Sequence, residues 1–482
     1  MNKLYQINKP EGIVKSKKYK ESEKFISGCQ AIAGIPITEI ANNNGMCRQY
    51  IYKQKREVET YAEKLDKSSR QEEIIVLDKA FKNRLILSLT LDCGASLEGI
   101  QRVFENALNK NISIGNISGV IKEASERAQK FDDGINLEGI TQGANDEIFQ
   151  GGTPVLTGID PESSYIYLLE EAKDRKAETW QIYMEDCKDR GLDLKTTIND
   201  GGPGLLSGIP KVYEDVEIQR DVFHALYELG KEVSKIERKA LSLIKQEYDL
   251  KDRIANKNSY QKTKDKLEVI IPKTEEAIKT YDMIYILYSW FKELLSFSGY
   301  GMEDTVNLIE YVLQEIGIEA VNSPALIKEI EKVRKCLPAL LSFINRLEKG
   351  MSRYSGELDI PLDALRIMYR QLSFSPECQQ HQNLEYDLVL MLMGKYDSTR
   401  VVFEKLLKET KKASSLVENL NGRIRSFIEV KRIIPTKFFV LMKVYFNTRR
   451  YKRSRCSERV GRSPLELLTG KAQPDFLEAL GY

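Results

Sequence analysis

Histidine is nearly missing from this sequence: His224 and His381 are the only two in 482 residues. Cysteine is sparse and scattered, at Cys29, Cys47, Cys93, Cys187, Cys336, Cys378 and Cys456, with no C-x-x-C pair. Together these shortages exclude a zinc site of the usual Cys/His kind. The scatter fits the reduced thiols of a cytoplasm better than a disulfide framework. Any catalytic metal would therefore have to be held by carboxylates. No apolar run reaches the roughly 18 residues that a membrane span needs. The most apolar stretch, IIPTKFFVLMKVYF, is interrupted by Lys437 and Lys443. No charged-then-apolar leader opens the chain, which begins MNKLYQINKPEGIVKSKKYK, so a cytoplasmic protein without membrane contact is expected.

Net charge is also slight, at +2, with 30% of residues charged. What charge there is concentrates at the ends. Lys3, Lys9, Lys15, Lys17, Lys18 and Lys20 face Glu11 alone, and from Arg423 to Arg459 only Glu429 and Glu458 oppose twelve lysines and arginines. Basic ends on a near-neutral chain suggest local contact with a polyanion, although a solvated face explains the N-terminal lysines equally well. The length admits two to four domains.

Residues 1–70 predict short helices with tight breaks. Ile37, Ile40 and Ala41 make a short apolar face, Gly45 supplies a turn, and Arg48, Gln49, Tyr52 and Lys53 open the next helix. A turn-separated helix pair whose second member opens with long polar side chains is what a helix-turn-helix needs to enter a major groove. Small bundles that never meet DNA share this periodicity. A second such unit is expected over 71–140. KNRLILSLTLDCG stops at Gly94, SLEGIQRVFENAL opens on Ser96 as N-cap with Glu98 in its first turn, and Ser113 to Ser118 lead into a longer helix, GVIKEASERAQKF.

Over 141–230 the pattern changes. NDEIFQ, TPVLTGID and SSYIYLLEE are β-branched and aromatic segments separated by turn residues, and predict an antiparallel meander. KAETWQIYMEDCKDRGL predicts an amphipathic helix, LKTTIND a fourth strand, and DVEIQRDVFHAL a fifth strand running into a helix. That order, β-β-β-α-β-(α)-β-α, is that of an RNase H-like α/β core, a mixed five-stranded sheet with flanking helices. Residues 231–400 predict an all-helical insertion with breaks near Pro272, Pro324, Pro338, Pro361 and Pro376. One long amphipathic helix is expected over 401–435, its stripe formed by Val402, Leu406, Ala413, Leu416, Leu420, Ile424 and Phe427. A basic segment, 436–482, closes the chain.

In an RNase H-like sheet the first strand carries an Asp near its middle, and the neighbouring fourth strand ends in another acid. Those positions are Asp146 and Asp200. Asp200 belongs to Asn-Asp-Gly-Gly, which is also ordinary turn chemistry. Two carboxylates on adjacent strands repel each other, and a divalent cation removes the repulsion; hard oxygen ligands suit Mg²⁺. Gly201 and Gly202 would admit a phosphate close to the backbone. A third acid should come from a helix packed on the sheet. Glu418 is the choice, on a polar face with Ser414, Asn421, Gly422 and Arg425. Glu147 competes with Asp146, since strand alternation points only one of them to a given face. Glu429 and Glu217 compete with Glu418, and Asp160 reads as turn chemistry. His224 follows the fifth strand and is either near the scissile phosphate or a hydrogen-bonded packing residue.

With these residues in place the chain resembles a DDE transposase of a bacterial insertion sequence. NDEIFQGGTPVLTGID matches around the first Asp, INDGG at the second, and ENLNGRIRSF at the Glu. VYFNTRR and GRSPLELLTG resemble the tails of such enzymes. The resemblance implies phosphoryl transfer with two Mg²⁺ (or Mn²⁺) ions, Asp146 bridging both while Asp200 and Glu418 each hold one. It implies double-stranded DNA as partner, both the element's terminal inverted repeats and the target, and a homodimer or higher assembly on that DNA near the bacterial nucleoid. Arg423 and Arg425, beside Glu418, are then candidate phosphate contacts. Two other readings remain: a regulatory DNA-binding relative that does not cut, and a structure-specific RNase H-like nuclease that does not join strands.

Overall fold

A computed structural model describes residues 19–66, 77–256, 261–412, 415–431, 433–454 and 456–482. Lys3, Lys9, Lys15, Lys17 and Lys18 of the basic N-terminus lie outside the described residues, as do Ala413, Ser414, Arg432 and Arg455. The chain divides into two compact units at Leu85/Ile86.

In the first unit, α1 (Glu21–Ile32), α2 (Ile37–Asn44) and α3 (Arg48–Asp66) enclose Ala31, Ile40, Met46 and Ile51. Gly45 ends α2 in the left-handed conformation, φ 61°, where glycine carries no Cβ penalty, and α3 begins three residues later. Gly28 leaves no room for a Cβ against Val58 and the Gln54 backbone, so α1 and α3 pack closely.

Helices α4 (Lys79–Leu91), α5 (Leu97–Leu108) and α6 (Ile114–Asp133) follow. Ser96 caps as its position predicts, accepting from the Gly99 amide at 3.0 Å, while α6 starts earlier than the expected GVIKEASERAQKF, at Ile114, with Ser113 as its cap accepting from the Asn116 amide at 3.2 Å.

The sheet of the second unit holds β1 (Gln142–Gln150), β2 (Thr153–Ile159), β3 (Ile166–Glu171), β4 (Thr196–Asn199) and β5 (Glu217–Arg220) in the order β3-β2-β1-β4-β5. The first three strands pair antiparallel, while β4 runs parallel to β1 and β5 parallel to β4. Helices α7 (Ala177–Asp189) and α8 (Pro203–Val212) fill the connections on either side of β4, and Trp180, Met184, Leu205 and Ile209 join Leu156 and Tyr167 in one core.

A helical block comes next: α9 (Val222–Ala255), α10 (Gln261–Leu294), α11 (Met302–Glu319), α12 (Pro324–Leu340), α13 (Ser342–Leu358), α14 (Leu362–Ser373), α15 (Gln379–Leu392) and α16 (Tyr396–Glu409). Two of the expected breaks are absent. Pro272 and Pro338 lie inside α10 and α12, whereas Pro324 opens α12 and Pro361 caps α14. Ile284, Phe291, Leu313, Leu326, Ile330 and Leu337 supply the surrounding packing that offsets the lost helix hydrogen bonds.

The single long helix expected over 401–435 is two, α16 and α17 (Ser415–Lys431). The carbonyls that would continue α16 are taken by other partners: Gln142 Nε2 donates to Glu409 O at 3.4 Å, Arg346 Nη2 to Lys411 O at 2.5 Å, and the Val222 amide to Lys412 O at 3.2 Å. Arg346 also donates to Glu217 at 2.7 Å, and Gln219 Nε2 to Leu340 O at 2.8 Å. Strand β5 is thus tied to both α13 and the lead into α17. Lys412 is held here too, its Nζ 2.9 Å from Leu295 O and 4.4 Å from the Phe297 ring centre; burial pushes its pKa down to about 8.

Helix α17 packs on β1 and β2, and α18 (Thr436–Thr448) on β3 and α6. Lys443, which interrupts the most apolar stretch, is buried against Asp132 at 2.9 Å. Asn447 brackets β3, accepting from the Ile166 amide at 2.8 Å and donating to its carbonyl at 2.9 Å. In α19 (Pro464–Thr469) a Ser463/Glu466 capping box forms, and Arg450 at 2.8 Å holds Glu466 down at a pKa of about 2; α20 (Phe476–Ala479) ends the chain. Among the described residues no helix is long and apolar enough to cross a membrane.

Candidate functional site: acids at one end of the sheet

Parallel pairing sets the geometry. Ala144 stands opposite Ile198, so Asp146 and Asp200 come to the same end of neighbouring strands, near enough for the Asp200 charge to act on Asp146. Asp200 sits one residue past the end of β4. Asn199 accepts from the Gly201 amide at 3.0 Å and Asp200 Oδ1 from the Gly202 amide at 2.9 Å. The segment is therefore both a turn and the mouth of a buried strand, the two readings its sequence left open. Gly201, at φ 88°, lies under the Arg220 guanidinium, which donates to the Asp200 carbonyl; a Cβ at Gly201 would land on that guanidinium.

Alternation separates the two neighbouring acids of β1. Glu147 points to the α7 face, where Trp180 Nε1 donates to it at 2.9 Å and Arg175 lies 3.4 Å away. Asp146 points to the α17 face, where Asn421 Nδ2 meets its Oδ2 at 2.5 Å; its Oδ1 accepts from the Glu147 amide at 2.8 Å. Burial raises the pKa of Asp146 to about 7, and the charges of Asp200, Glu418 and Glu147 push the same way while the Glu147 amide opposes them.

Glu418 occupies the first turn of α17, where Asn421 follows three residues later on the same side of the helix. Arg425 approaches Glu418 at 3.9 Å. Arg423 is engaged elsewhere, its guanidinium 3.8 Å above the Phe446 ring. Of the rivals, Glu217 is paired with Arg346 and Glu429 is exposed toward the far end of α17. Asp160 is buried and accepts from the Glu162 and Ser163 amides, as turn chemistry requires. His224 is half-buried in the first turn of α9, behind the Asp221 N-cap. In the first unit Arg48, Gln49, Tyr52 and Lys53 are all exposed at the start of α3.

Asn421 is the member that sequence reasoning placed without a role. It is fully buried and bonded to the first acid, and its signal was the i, i+3 spacing from Glu418. Arg220, which clamps the Asp200–Gly201 backbone, carried no local signal, because the contact is made across strands.

The donor set is all oxygen, and the buried Oδ1 of Asn421 has no hydrogen-bond partner. Clustered carboxylates beside an unmatched amide oxygen suit a hard divalent cation. Among the described residues no three His, Cys, Asp or Glu side chains stand in ion-holding geometry. The acids gather at one end of the sheet without closing into a coordination shell, and Asn421 occupies one of the Asp146 oxygens.

Residues 152–302 match the family model described as Transposase, Mutator family. The matched segment includes Asp200 and His224 and stops short of Asp146 and Glu418 on either side. It supports a transposase of an insertion element. No curated protein matches the chain.

Proposed function

We propose that the chain is a divalent-metal-dependent DNA transposase with an RNase H-like core, cutting DNA strands at the ends of a mobile element and joining them to a target. The observation that carries this reading is the gathering of Asp146, Asp200 and Glu418 at one end of the sheet in a chain whose residues 152–302 match a transposase family, with burial and the two other acids raising the pKa of the Asp146 carboxyl to about 7. A protein retains such unfavourable electrostatics where a function needs them.

Asp146, Asp200 and Glu418 would hold the Mg²⁺ or Mn²⁺ ions, two in number. When bound, these supply charge stabilisation for in-line phosphoryl transfer. Asn421 orients the Asp146 carboxyl, and its free Oδ1 is positioned to accept from a water at the site. Arg220 covers Gly201 and, with the Gly201–Gly202 turn, fixes Asp200, leaving Gly202 as the backbone a phosphate could approach. Arg425, loosely paired, is free to meet a phosphate; Arg423 serves the packing of α17 on α18. The exposed start of α3, with Arg48, Gln49, Tyr52 and Lys53, supports helix-turn-helix recognition of the terminal inverted repeats. Cutting and joining two ends calls for two or more copies of the chain on DNA.

The test is cleavage of labelled element-end DNA with Mg²⁺ by the wild type and by Asp146→Asn, Asp200→Asn and Glu418→Gln. Each variant is expected to bind the ends normally and to lose nicking and joining by at least 10²-fold, about 3 kcal/mol of transition-state stabilisation. Full activity in any variant removes that residue from the site.

A further inference from the structure

Helix α9 leaves the sheet beside the candidate site. The Asp221 amide donates to the carbonyl of Asn199, the residue before Asp200, at 2.8 Å, and the Asp221 side chain caps the helix at the Phe223 amide. From there a stripe of exposed residues follows one face at helical spacing: Phe223, Tyr227, Lys231, Arg238, Lys245 and Tyr248. Through Lys245 the stripe contains no carboxylate and spans about 33 Å at the helical rise; beyond Lys245 the exposed Asp249 and Asp252 share the face with Tyr248.

Its site-proximal end is aromatic. Phe223 and Tyr227 are 48% and 54% exposed, with their rings nearly parallel at 14° and their centres 6.2 Å apart. Lys231, which also pairs with Glu228 at 2.9 Å, places its ammonium 4.9 Å from the Tyr227 ring centre. The neighbouring helix repeats the arrangement: Tyr288 donates to Leu226 O at 2.9 Å, and Lys292 stands 4.9 Å over its ring. Sequence-tolerant stacking of unpaired bases, with cations spaced for the backbone, uses this composition.

We propose that the outer face of α9 binds single-stranded DNA, with Phe223 and Tyr227 stacking on unpaired bases next to the candidate site and Lys231, Arg238 and Lys245 following the phosphates beyond. The assignment rests on the strand-cutting reading, since only a cut or melted end presents single strand at this place. The occupant is a DNA strand rather than a second copy of the chain because the face joins a stacked ring pair next to the site to three successive basic residues, Lys231, Arg238 and Lys245, before the first acid on it, Asp249.

The experiment measures binding of the full-length protein in EDTA to a labelled oligothymidylate and to a duplex of equal length, over a range of salt, with a 2-aminopurine reporter in the single strand. Phe223→Ala/Tyr227→Ala is expected to weaken single-strand binding 10- to 100-fold, to abolish 2-aminopurine quenching and to leave duplex binding within twofold. Phe223→Tyr/Tyr227→Phe should retain binding. Lys231→Ala/Arg238→Ala/Lys245→Ala should flatten the slope of log affinity against log salt by about 2. Unchanged single-strand affinity in the aromatic variant overturns the proposal, as does an equal loss on duplex. So does a variant that changes only the sedimentation of the DNA-free protein, which would mark the face as a contact between copies. Wild-type cleavage with Mg²⁺, run in parallel, separates this from the parent reading: failure to cut defeats strand cutting while single-strand binding stands or falls by itself.

Discussion

Asn421 Nδ2 donates to Asp146 Oδ2 at 2.5 Å across 275 residues of sequence, a polar tie between α17 and the central strand β1 beside their packing contacts. An amide donor favours the ionised carboxyl. Asn421→Ala is therefore expected to raise the Asp146 pKa further and move the acidic limb of the cleavage-rate profile to higher pH. It should also cost about 1–3 kcal/mol of stability through the lost bond and the cavity. The rate profile and thermal melts check both; an unmoved acidic limb would show that the bond does not act on the acid.

Asp146 gives a second pH test, in metal-free buffer. Its pKa is raised to about 7 in the fold, against roughly 3.9 in an unfolded chain. Between those values the folded state binds more protons than the unfolded one, so the wild type loses stability from this group as pH rises from about 4 to 7. Asp146→Asn removes that loss. Its melting temperature should exceed that of the wild type at pH 8, by the equivalent of no more than about 4 kcal/mol, and approach it at pH 4. Added Mg²⁺ should stabilise the wild type and leave the variant unchanged. A gap that stays constant with pH would contradict the assignment.

Adjacent acids on a strand should respond differently. Glu147→Gln keeps a partner for Trp180 Nε1 while removing the charge near Arg175, so modest destabilisation, about 1 kcal/mol or less, is expected with little loss of metal-dependent cleavage. Titration with Mn²⁺, read by melting temperature, should show binding to Glu147→Gln and none to Asp146→Asn. The reverse pattern would exchange their roles.

Gly201 permits no side chain. Its positive φ and the overlying Arg220 guanidinium together predict that Gly201→Ala costs about 1–3 kcal/mol and lowers kcat more than DNA affinity. Arg220→Ala should relieve the overlap without restoring kcat, since the Asp200 carbonyl loses its donor. Recovery of full kcat in the double variant would show that only space mattered.

Much of this was legible in the sequence. Strand alternation around Asp146 and Glu147, the Asn-Asp-Gly-Gly turn, and the serine cap at Ser96 are local signals, and the structure reproduces each. The misread elements depend on distant partners. The break between α16 and α17 follows from carbonyls captured by Gln142, Arg346 and Val222, none of them near in sequence. Pro272 and Pro338 are tolerated because neighbouring helices hold their segments in place. Arg423 looked free on its own helix and is spoken for by Phe446 on the next.

The sheet strands bearing Asp146 and Asp200 leave the ribosome some two hundred residues before α17 does. Until synthesis passes Lys431, the end of the sheet where those acids gather has no lid and no third carboxylate. A chain that stops before Ser415 would therefore hold Asp146 and Asp200 without Asn421 or Glu418 beside them.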